Sequence, residues 1–349
     1  MIWILGATGR TGREIAARVA ARGGTPVLVG RNAERLRKTA AELGLDGVEV
    51  VETADIAGEV ARRRPAVVVN TIGGYADTAV PIARACLPGG HYVDLANDLV
   101  AMPRLLALHD EAAAGDSTFV TGAGFGVLGT EAVVARLCAD RPTPQEVRVD
   151  ALPSVAIEAG QLGAALALSI VSAFTTGGLR YRGGQMVPTR LAGEPREHAL
   201  PDGQKAKSAV GATGELLAAH EASGAPNVVA TTGLLPTAPY IRAILPLASA
   251  LLKVSAVRQF AVRRMAAMEF KPAPRPREHS WGHAVVTWAD GTTREGWLRT
   301  EDAMGFTTNA AAETAVRLAR GEGRRGAYTP ACALGPELAE AAGATIDQL

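Results

Sequence analysis

Short apolar runs alternate with amphipathic runs along roughly the first 125 residues of the chain. Stretches such as IWIL (residues 2–5) and VVVN (residues 67–70) are typical of strands buried on both faces of a parallel sheet. Between such stretches, apolar residues recur at helical spacing, as they do from Ile15 to Ala20. Strands are predicted within residues 2–5, 25–32, 47–55, 67–70, 91–98 and 117–126. This alternation with short connections predicts right-handed crossovers and a doubly wound parallel sheet, the Rossmann form of an α/β fold.

The pattern changes after residue 127. From Pro144 onward the apolar runs lengthen and alternate with polar positions, which predicts an antiparallel or mixed sheet in a smaller α+β domain. We also predict an apolar helix over residues 160–174 and a hairpin that turns at Asp290 and Gly291. Residues 191–229 are polar and interrupted by glycine and proline, so loops and a short helix are expected there. The predicted domains are therefore residues 1–127 and 128–303, followed by a largely helical segment, 304–349.

The turn GATGRTG connects the first predicted strand to the first predicted helix. A helix N-terminus presents unpaired backbone N–H groups and the positive end of the helix dipole, and glycines let a pyrophosphate approach them closely. The alternative is a glycine-rich turn without a ligand. Because the turn follows a buried strand and opens a helix, we predict a dinucleotide site that contains Gly6, Thr8, Gly9, Arg10, Thr11 and Gly12.

The residues after the second strand indicate which dinucleotide would bind. A site selective for NAD usually has Asp or Glu there, to hold the ribose, whereas this chain has Gly30, Arg31 and Asn32. A guanidinium suits a 2′-phosphate through charge-assisted hydrogen bonds, so we expect NADPH, although Arg31 could also be an ordinary surface arginine. The remaining predicted cofactor contacts follow the second, third and fourth strands; they are Arg31, Asn32, Asp55, Asn70, Thr71, Ile72 and Gly73.

Charge and cysteine content exclude some classes of function. The formal net charge of +1 gives no reason to expect a nucleic-acid partner. The three cysteines are far apart and odd in number, and no signal peptide is recognised, so we expect a cytoplasmic protein with reduced thiols. Prolines and basic residues interrupt the apolar stretch 233–257, so we predict no membrane span but an amphipathic segment that covers a pocket or a partner. A homodimer is compatible with the sequence.

Two residues near the predicted strand ends are the candidates for catalysis. Tyr75 could donate a proton or a hydrogen bond, or simply pack over the cofactor. Asp94 could orient a substrate or cap a turn. Glu131, placed just inside a predicted helix, is interpreted as a dipole-stabilising residue. His279 and His283 would lie about 13 Å apart along a strand, too far for one ion, so no metal site is predicted.

Several segments together resemble the saccharopine-dehydrogenase-like oxidoreductases, which include trans-acting enoyl reductases. The similar segments are residues 6–12, 27–32, 67–98, 122–133 and 304–335. The chain departs from the family pattern at Gly74 and Gly129, where proline is usual, and at Ala96 and Asn97, where Gly-Glu is common. The resemblance implies a Rossmann domain, a smaller substrate domain and a last helix that returns to the first domain.

These observations lead to one main expectation and two alternatives. We expect an NADPH-dependent reductase of an activated C=C or C=N bond in a small, largely apolar metabolite. One alternative is an amino-acid or imine dehydrogenase like saccharopine dehydrogenase, for which Arg180 and Arg182 would be the carboxylate-binding candidates. The other alternative is a non-catalytic NADP(H) sensor, because a fold does not guarantee an activity.

Overall fold

The computed structural model describes residues 1–45, 47–157, 159–161 and 164–348. Strands and helices alternate through the N-terminal part: β1 (Ile2–Leu5), α1 (Arg10–Ala21), β2 (Pro26–Gly30), α2 (Ala33–Glu42), β3 (Val50–Glu52), α3 (Ile56–Arg63), β4 (Val67–Asn70), α4 (Tyr75–Ala85), β5 (His91–Asp94), α5 (Ala101–Leu106), α6 (His109–Ala114), β6 (Thr118–Val120) and α7 (Phe125–Cys138).

The middle part is richer in strands. It contains β7 (Glu146–Leu152), β8 (Gly160–Gln161), α8 (Ala164–Thr176), β9 (Gly178–Arg182), β10 (Gln185–Thr189), β11 (Arg196–Ala199), β12 (Lys205–Val210), α9 (Gly214–Ser223), β13 (Asn227–Thr232), α10 (Pro239–Leu252), α11 (Ser255–Ala266), β14 (Glu269–Phe270), β15 (Ser280–Thr287) and β16 (Thr293–Thr300). The C-terminal part contains α12 (Ala303–Ala319), β17 (Gly326–Tyr328), α13 (Pro330–Leu334), α14 (Leu338–Ala341) and β18 (Thr345–Gln348).

The first sheet has the strand order β17-β6-β5-β4-β1-β2-β3. Its strand pairs are all parallel. The predicted doubly wound parallel sheet is therefore confirmed. The chain order reverses between β1 and β4, where Leu5 lies opposite Asn70, and ligands bind at such a reversal, beyond the carboxyl ends of the strands.

Apolar side chains from both faces of this sheet are fully buried. Trp3, Tyr92 and Phe119 belong to the core on one face. Ile4 and Leu28, which lie opposite each other on β1 and β2, are fully buried on the other face. The short β-branched runs seen in the sequence are the centres of these strands, as expected for strands that helices cover on both sides. This packing fixes the positions of the turns that follow β1 and β4.

The second sheet is mixed, as the alternating pattern predicted. Its strand order is β10-β9-β13-β7-β15-β16-β18, and β12 joins β11 to β13. Only β13 and β7 pair in parallel among these described strands. The predicted hairpin is present, because β15 pairs with β16 and Gly291 takes a left-handed φ of 83° in the turn.

One expectation for the second part of the chain was only partly right. Residues 191–229 contain the expected short helix, α9, but they also contain β11, β12 and the start of β13 where loops were expected. Polar residues such as Ser208 are buried there and bonded internally, so polarity concealed the strands. The C-terminal segment contains α12, α13 and α14, and it also supplies β17 to the first sheet and β18 to the second.

The described chain forms two compact units. One comprises residues 1–96, 100–124 and 305–343, and the other comprises residues 97–99, 125–304 and 344–349. The first unit contains the parallel sheet and most of α12, whereas the second contains the mixed sheet. The domain boundaries predicted from the sequence, after residues 127 and 303, remain predictions.

Candidate functional site

The turn after β1 begins and ends with glycines. Gly6 has a φ of +76°, a left-handed conformation that side chains rarely adopt. The N–H of Gly9 donates to the Gly6 carbonyl oxygen over 2.9 Å, which closes the turn. Gly9 is the N-cap of α1 and provides no side-chain cap, so no side chain occupies the start of the helix at that position. The turn therefore leaves backbone donors of α1 available to an anion.

Each of the three glycines has a different physical reason to be there. A Cβ atom on Gly6 would lie 2.9 Å from the Thr71 hydroxyl oxygen. A Cβ atom on Gly12 would lie 2.5 Å from the Gly6 carbonyl oxygen, so Gly12 lets α1 pack directly on the turn. Gly9 is exposed and its Cβ would meet only the Gly6 oxygen, at 3.2 Å. Of the three, Gly9 is thus the one whose missing side chain leaves space for a ligand.

The other residues assigned to this turn lie at the same edge of the sheet. Thr8 and Thr11 are half-buried, and Arg10 is exposed as the first residue of α1. The turn after β4 adjoins them, because the Thr71 hydroxyl donates to the Leu5 carbonyl oxygen over 2.6 Å. Ile72 is 39% exposed, and Gly73 has a positive φ of 79°. The structure thus brings the predicted residues of the two turns together.

Asn70 supports the second turn from inside the protein. It is fully buried, and its side chain donates to the Tyr92 hydroxyl over 3.0 Å while accepting from the N–H of Ile72 over 3.1 Å. Its polar atoms are therefore occupied by the protein. Asn70 shapes the turn that carries Thr71 and Ile72.

The ends of β2 and β3 differ in how they use their polar residues. The Asn32 side chain caps α2 by accepting from the N–H of Arg35 over 2.8 Å, and Asp55 caps α3 by accepting from the N–H of Gly58 over 3.0 Å. Arg31 is exposed directly after β2 and, within the described part of the chain, makes no ion pair. Of Arg31, Asn32 and Asp55, Arg31 is therefore the residue whose polar side chain is not used to cap a helix.

Tyr75 is the first residue of α4. The N-cap before it, Gly74, has a left-handed φ of 58°, which turns the chain from β4 into the helix. The half-buried Tyr75 ring packs against the core of the first sheet. Packing is therefore one established role of this residue.

Asp94 is a fully buried carboxyl at the end of β5. Its Oδ1 accepts from the Thr121 hydroxyl over 2.8 Å and from the N–H groups of Ala96 and Gly122 over 3.0 and 3.2 Å. Burial raises the pKa of Asp94 to about 6, although these hydrogen bonds lower it. The carboxyl thus holds together the segments that follow β5 and β6, and it titrates near neutral pH.

A second buried carboxyl, missed in the sequence, lies within the second unit. Glu215 is 2% exposed at the start of α9, and the Asn97 amide donates to its Oε1 over 3.3 Å. The Asn97 Oδ1 in turn accepts from the N–H of Gly214 over 2.7 Å. Burial raises the pKa of Glu215. A Cβ atom on Gly126 would collide with the Asn97 amide nitrogen, so a glycine there leaves room for this pair.

Glu131 was expected just inside the start of a helix, and the structure places it further along. Helix α7 begins at Phe125, so Glu131 lies in the helix interior, fully buried, and not in the first turn. The dipole-stabilising interpretation was therefore wrong. The helix start was misplaced because glycines at Gly126 and Gly129 lowered its apparent helical propensity.

His283 belongs to a buried polar cluster in the second sheet. Its Nδ1 lies 2.8 Å from Asp150 Oδ2 and its Nε2 lies 2.9 Å from Glu295 Oε1. Burial alone would raise the pKa of Asp150, but the His283 hydrogen bond and the Arg148 charge hold that pKa well below its usual range. Burial lowers the pKa of His198, whose Nε2 lies 2.9 Å from the Ser208 hydroxyl.

Three residues of this cluster are of types that can ligate a metal ion, although no metal site was predicted from the sequence. His279, which was considered together with His283 as a possible metal ligand, packs edge to face on Trp281 instead. Ligand atoms of Asp150, His198 and His283 do lie within 4.8 Å of one another. The Arg148 guanidinium is 3.2 Å from Asp150 Oδ1, however, and already places a positive charge beside that carboxylate. We therefore interpret the cluster as a charged hydrogen-bond network.

Comparisons with known proteins identify the fold. No protein-family model and no curated protein matches the chain. Apo saccharopine dehydrogenase (L-Glu forming) from Saccharomyces cerevisiae has a similar structure, with a TM-score of 0.59 and 11% identity over 100% of this chain and 99% of that chain. The chain therefore has a saccharopine-dehydrogenase-like fold.

Two further solved structures are similar to about a third of the chain. Serine dehydrogenase from Escherichia coli is similar over 34% of this chain and 80% of its own, with 19% identity and a TM-score of 0.30. A metagenomic short-chain oxidoreductase in complex with NADP is similar over 35% of this chain and 80% of its own, with 18% identity and a TM-score of 0.30.

Proposed function

We propose that this chain binds NADPH at the turn after β1 and uses it to reduce a small, largely apolar substrate. The observation that carries the proposal is the uncapped start of α1 beside three glycines, located where the order of the parallel sheet reverses. Backbone N–H groups at such a helix start bind a pyrophosphate. The exposed Gly9 leaves space for it, and Thr71 and Ile72 form the adjacent turn.

The preference for NADPH over NADH rests on the end of β2. The residue there is Arg31, which is exposed and makes no ion pair with any residue that the structure describes, and the Asn32 side chain is occupied in capping α2. No carboxylate of the kind that holds the ribose of NAD follows the strand. A guanidinium forms charge-assisted hydrogen bonds with a 2′-phosphate, which NADH lacks.

The proposed reaction is reduction of an activated C=C or C=N bond. NADPH, when bound, supplies the hydride. The protein must then position the substrate and provide a proton or a hydrogen bond to the atom that gains charge. Tyr75, after the β4 turn, is the proposed donor. Asp94, whose pKa is raised to about 6, is proposed to hold the adjacent segments and to exchange a proton near neutral pH.

A second candidate is oxidation of an amino acid or reduction of its imine. The full-length structural similarity to saccharopine dehydrogenase favours it. Such a substrate would need cations for its carboxylates. Arg180 is partly neutralised, because its guanidinium lies 3.0 Å from Glu194 Oε1, whereas Arg182 is exposed. This arrangement leaves one of the two proposed arginines available and makes the amino-acid substrate the weaker candidate.

Turnover measurements separate these functions from that of a non-catalytic NADP(H) sensor. The full chain is mixed with NADPH and a panel of enones and cyclic imines and, in separate reactions, with NADP+ and saccharopine. The absorbance of NADPH is followed in each reaction against a cofactor-only control. We expect oxidation with enones or cyclic imines. Turnover only with saccharopine would favour the second candidate. NADPH binding without turnover of any compound would favour the sensor.

A further inference from the structure

We propose that helices α10 and α11 form a surface that docks on an anionic lipid bilayer. The surface comprises residues 239–268 and belongs to the second unit. The proposal is independent of the reaction proposed above, since it rests on the exposure and charge of this segment alone.

One face of α10 is anchored to the protein and the opposite face is apolar and exposed. Leu245 is buried in a small core, and the Ser249 hydroxyl donates to the Phe174 carbonyl oxygen over 2.7 Å. The exposed residues recur at helical spacing, so they form one stripe along the helix. They are Tyr240, Ile244, Leu247 and Leu251, with exposures of 74%, 59%, 64% and 51%.

Helix α11 continues the apolar surface. It has no buried residue, and Phe260 is 66% exposed. Val254, between the helices, is 53% exposed, and Met268 after α11 is 49% exposed. Large apolar side chains concentrated on one exposed segment mark an interaction site more often than scattered single residues do.

The charges of the segment select the occupant. Residues 222–268 contain no aspartate or glutamate. Exposed cations are present at Lys253, Arg258, Arg263 and Arg264. A second copy docking through the same surface would place these cations against one another without an acidic partner on the segment. An anionic bilayer instead offers negative headgroups to the cations and acyl chains to the apolar side chains.

The geometry favours a helix pair that lies on the membrane. No single described helix is long and apolar enough to cross a bilayer, and α10 and α11 together pass that test only as a pair bent by 115°. Their 14 and 12 residues correspond to lengths of about 21 and 18 Å. Both are shorter than the roughly 30 Å hydrocarbon core. We therefore place α10 and α11 at the headgroup level.

Vesicle flotation with the full chain tests the proposal. We expect the protein to float with vesicles of mixed phosphatidylglycerol and phosphatidylcholine, to remain unbound with phosphatidylcholine alone, and to be released by high salt. The charge-reversed variant Arg263→Glu/Arg264→Glu should bind the anionic vesicles at least about tenfold more weakly than the unmodified protein. The matched control, Arg196→Glu/Arg299→Glu, reverses two exposed charges on β11 and β16 and should bind like the unmodified protein.

An apolar variant tests the other half of the surface. Leu247→Ser/Phe260→Ser should also lose binding about tenfold, whereas Val100→Ser, at a 39% exposed position elsewhere, should not. Circular dichroism checks that each variant is folded. If a variant does not fold, the salt dependence of the unmodified protein still tests the proposal. Absent binding, or equal binding to both vesicle types, would overturn the proposal. So would a dimer in sedimentation that Leu247→Ser/Phe260→Ser dissociates, because a second copy would then cover the surface.

Discussion

A Cβ atom on Gly12 would lie 2.5 Å from the carbonyl oxygen of Gly6. That oxygen also accepts the Gly9 N–H that closes the turn, over 2.9 Å. Helix α1 can therefore start at its observed position only if residue 12 has no side chain. Gly12 therefore lets the helix that would bind the cofactor pack directly on the turn that follows β1.

We expect Gly12→Ala to lower the free energy of unfolding by about 1–3 kcal/mol, the usual cost of forcing an extra group into a packed site. Urea denaturation followed by circular dichroism measures this change. Gly9→Ala is the matched control, because its Cβ would meet only the Gly6 oxygen, at 3.2 Å. A Gly12→Ala variant as stable as the control would show that the turn is less tightly packed than we describe.

The exposed Arg31 is predicted to distinguish the two cofactors. Arg31→Ala should weaken NADPH binding by about 1.5–3 kcal/mol, the usual strength of hydrogen bonds to charged groups, and leave NADH binding nearly unchanged. Isothermal titration with both cofactors measures the difference. Arg299→Ala, which removes an exposed charge from β16, controls for the general loss of positive charge. Equal losses for NADPH and NADH would reject the assignment of Arg31 to the 2′-phosphate.

Tyr75 is predicted to contribute a hydroxyl as well as a ring. Tyr75→Phe should lower kcat about 10²-fold or more on a substrate found in the panel, with little change in NADPH affinity, because the ring that packs on the core is kept. Tyr328→Phe is the control, since that hydroxyl donates to the Arg325 carbonyl oxygen on the C-terminal segment. Full turnover by Tyr75→Phe would mean that the residue only packs.

Asp94 is predicted to make stability depend on pH. The pKa of Asp94 is raised by burial from 3.8 to about 6, so between these values the folded protein binds a proton that the unfolded chain does not. The wild type should therefore gain stability relative to Asp94→Asn as the pH falls from 7 to 4, by about 2–3 kcal/mol. The asparagine keeps an acceptor for Thr121 but cannot titrate. Urea unfolding at several pH values checks this, and a constant difference between the two proteins would contradict it.

The sequence best predicted the parts of the candidate site that are formed by consecutive residues. The strand at Ile2–Leu5, the glycine turn and α1 are consecutive, so apolar periodicity and glycine spacing were enough to predict them. The doubly wound parallel form of the first sheet followed from the alternation of strands and helices. The same reasoning identified Arg31 at the end of β2, because a strand end is visible in the sequence.

Contacts between distant residues were not predictable in this way. His283 lies opposite Asp150 because β15 pairs antiparallel to β7, a register that periodicity does not reveal. Along the chain, the nearest histidine to His283 is His279, which lies outside this cluster. Glu215 and Asn97 are 118 residues apart, and nothing in either local pattern indicates their hydrogen bond. Burial of a charged residue is decided by tertiary packing, which a single sequence does not display.

Isothermal titration of the full chain with NADPH tests the central claim most directly, with Gly9→Val as the comparison. Gly9 is exposed, so a valine there should leave the fold intact while its side chain fills the space proposed for the pyrophosphate. We predict that the unmodified protein binds NADPH more tightly than NADH, and that Gly9→Val keeps a native circular dichroism spectrum but binds neither. Normal NADPH binding by a folded Gly9→Val variant, or no binding by the unmodified protein, would contradict the account.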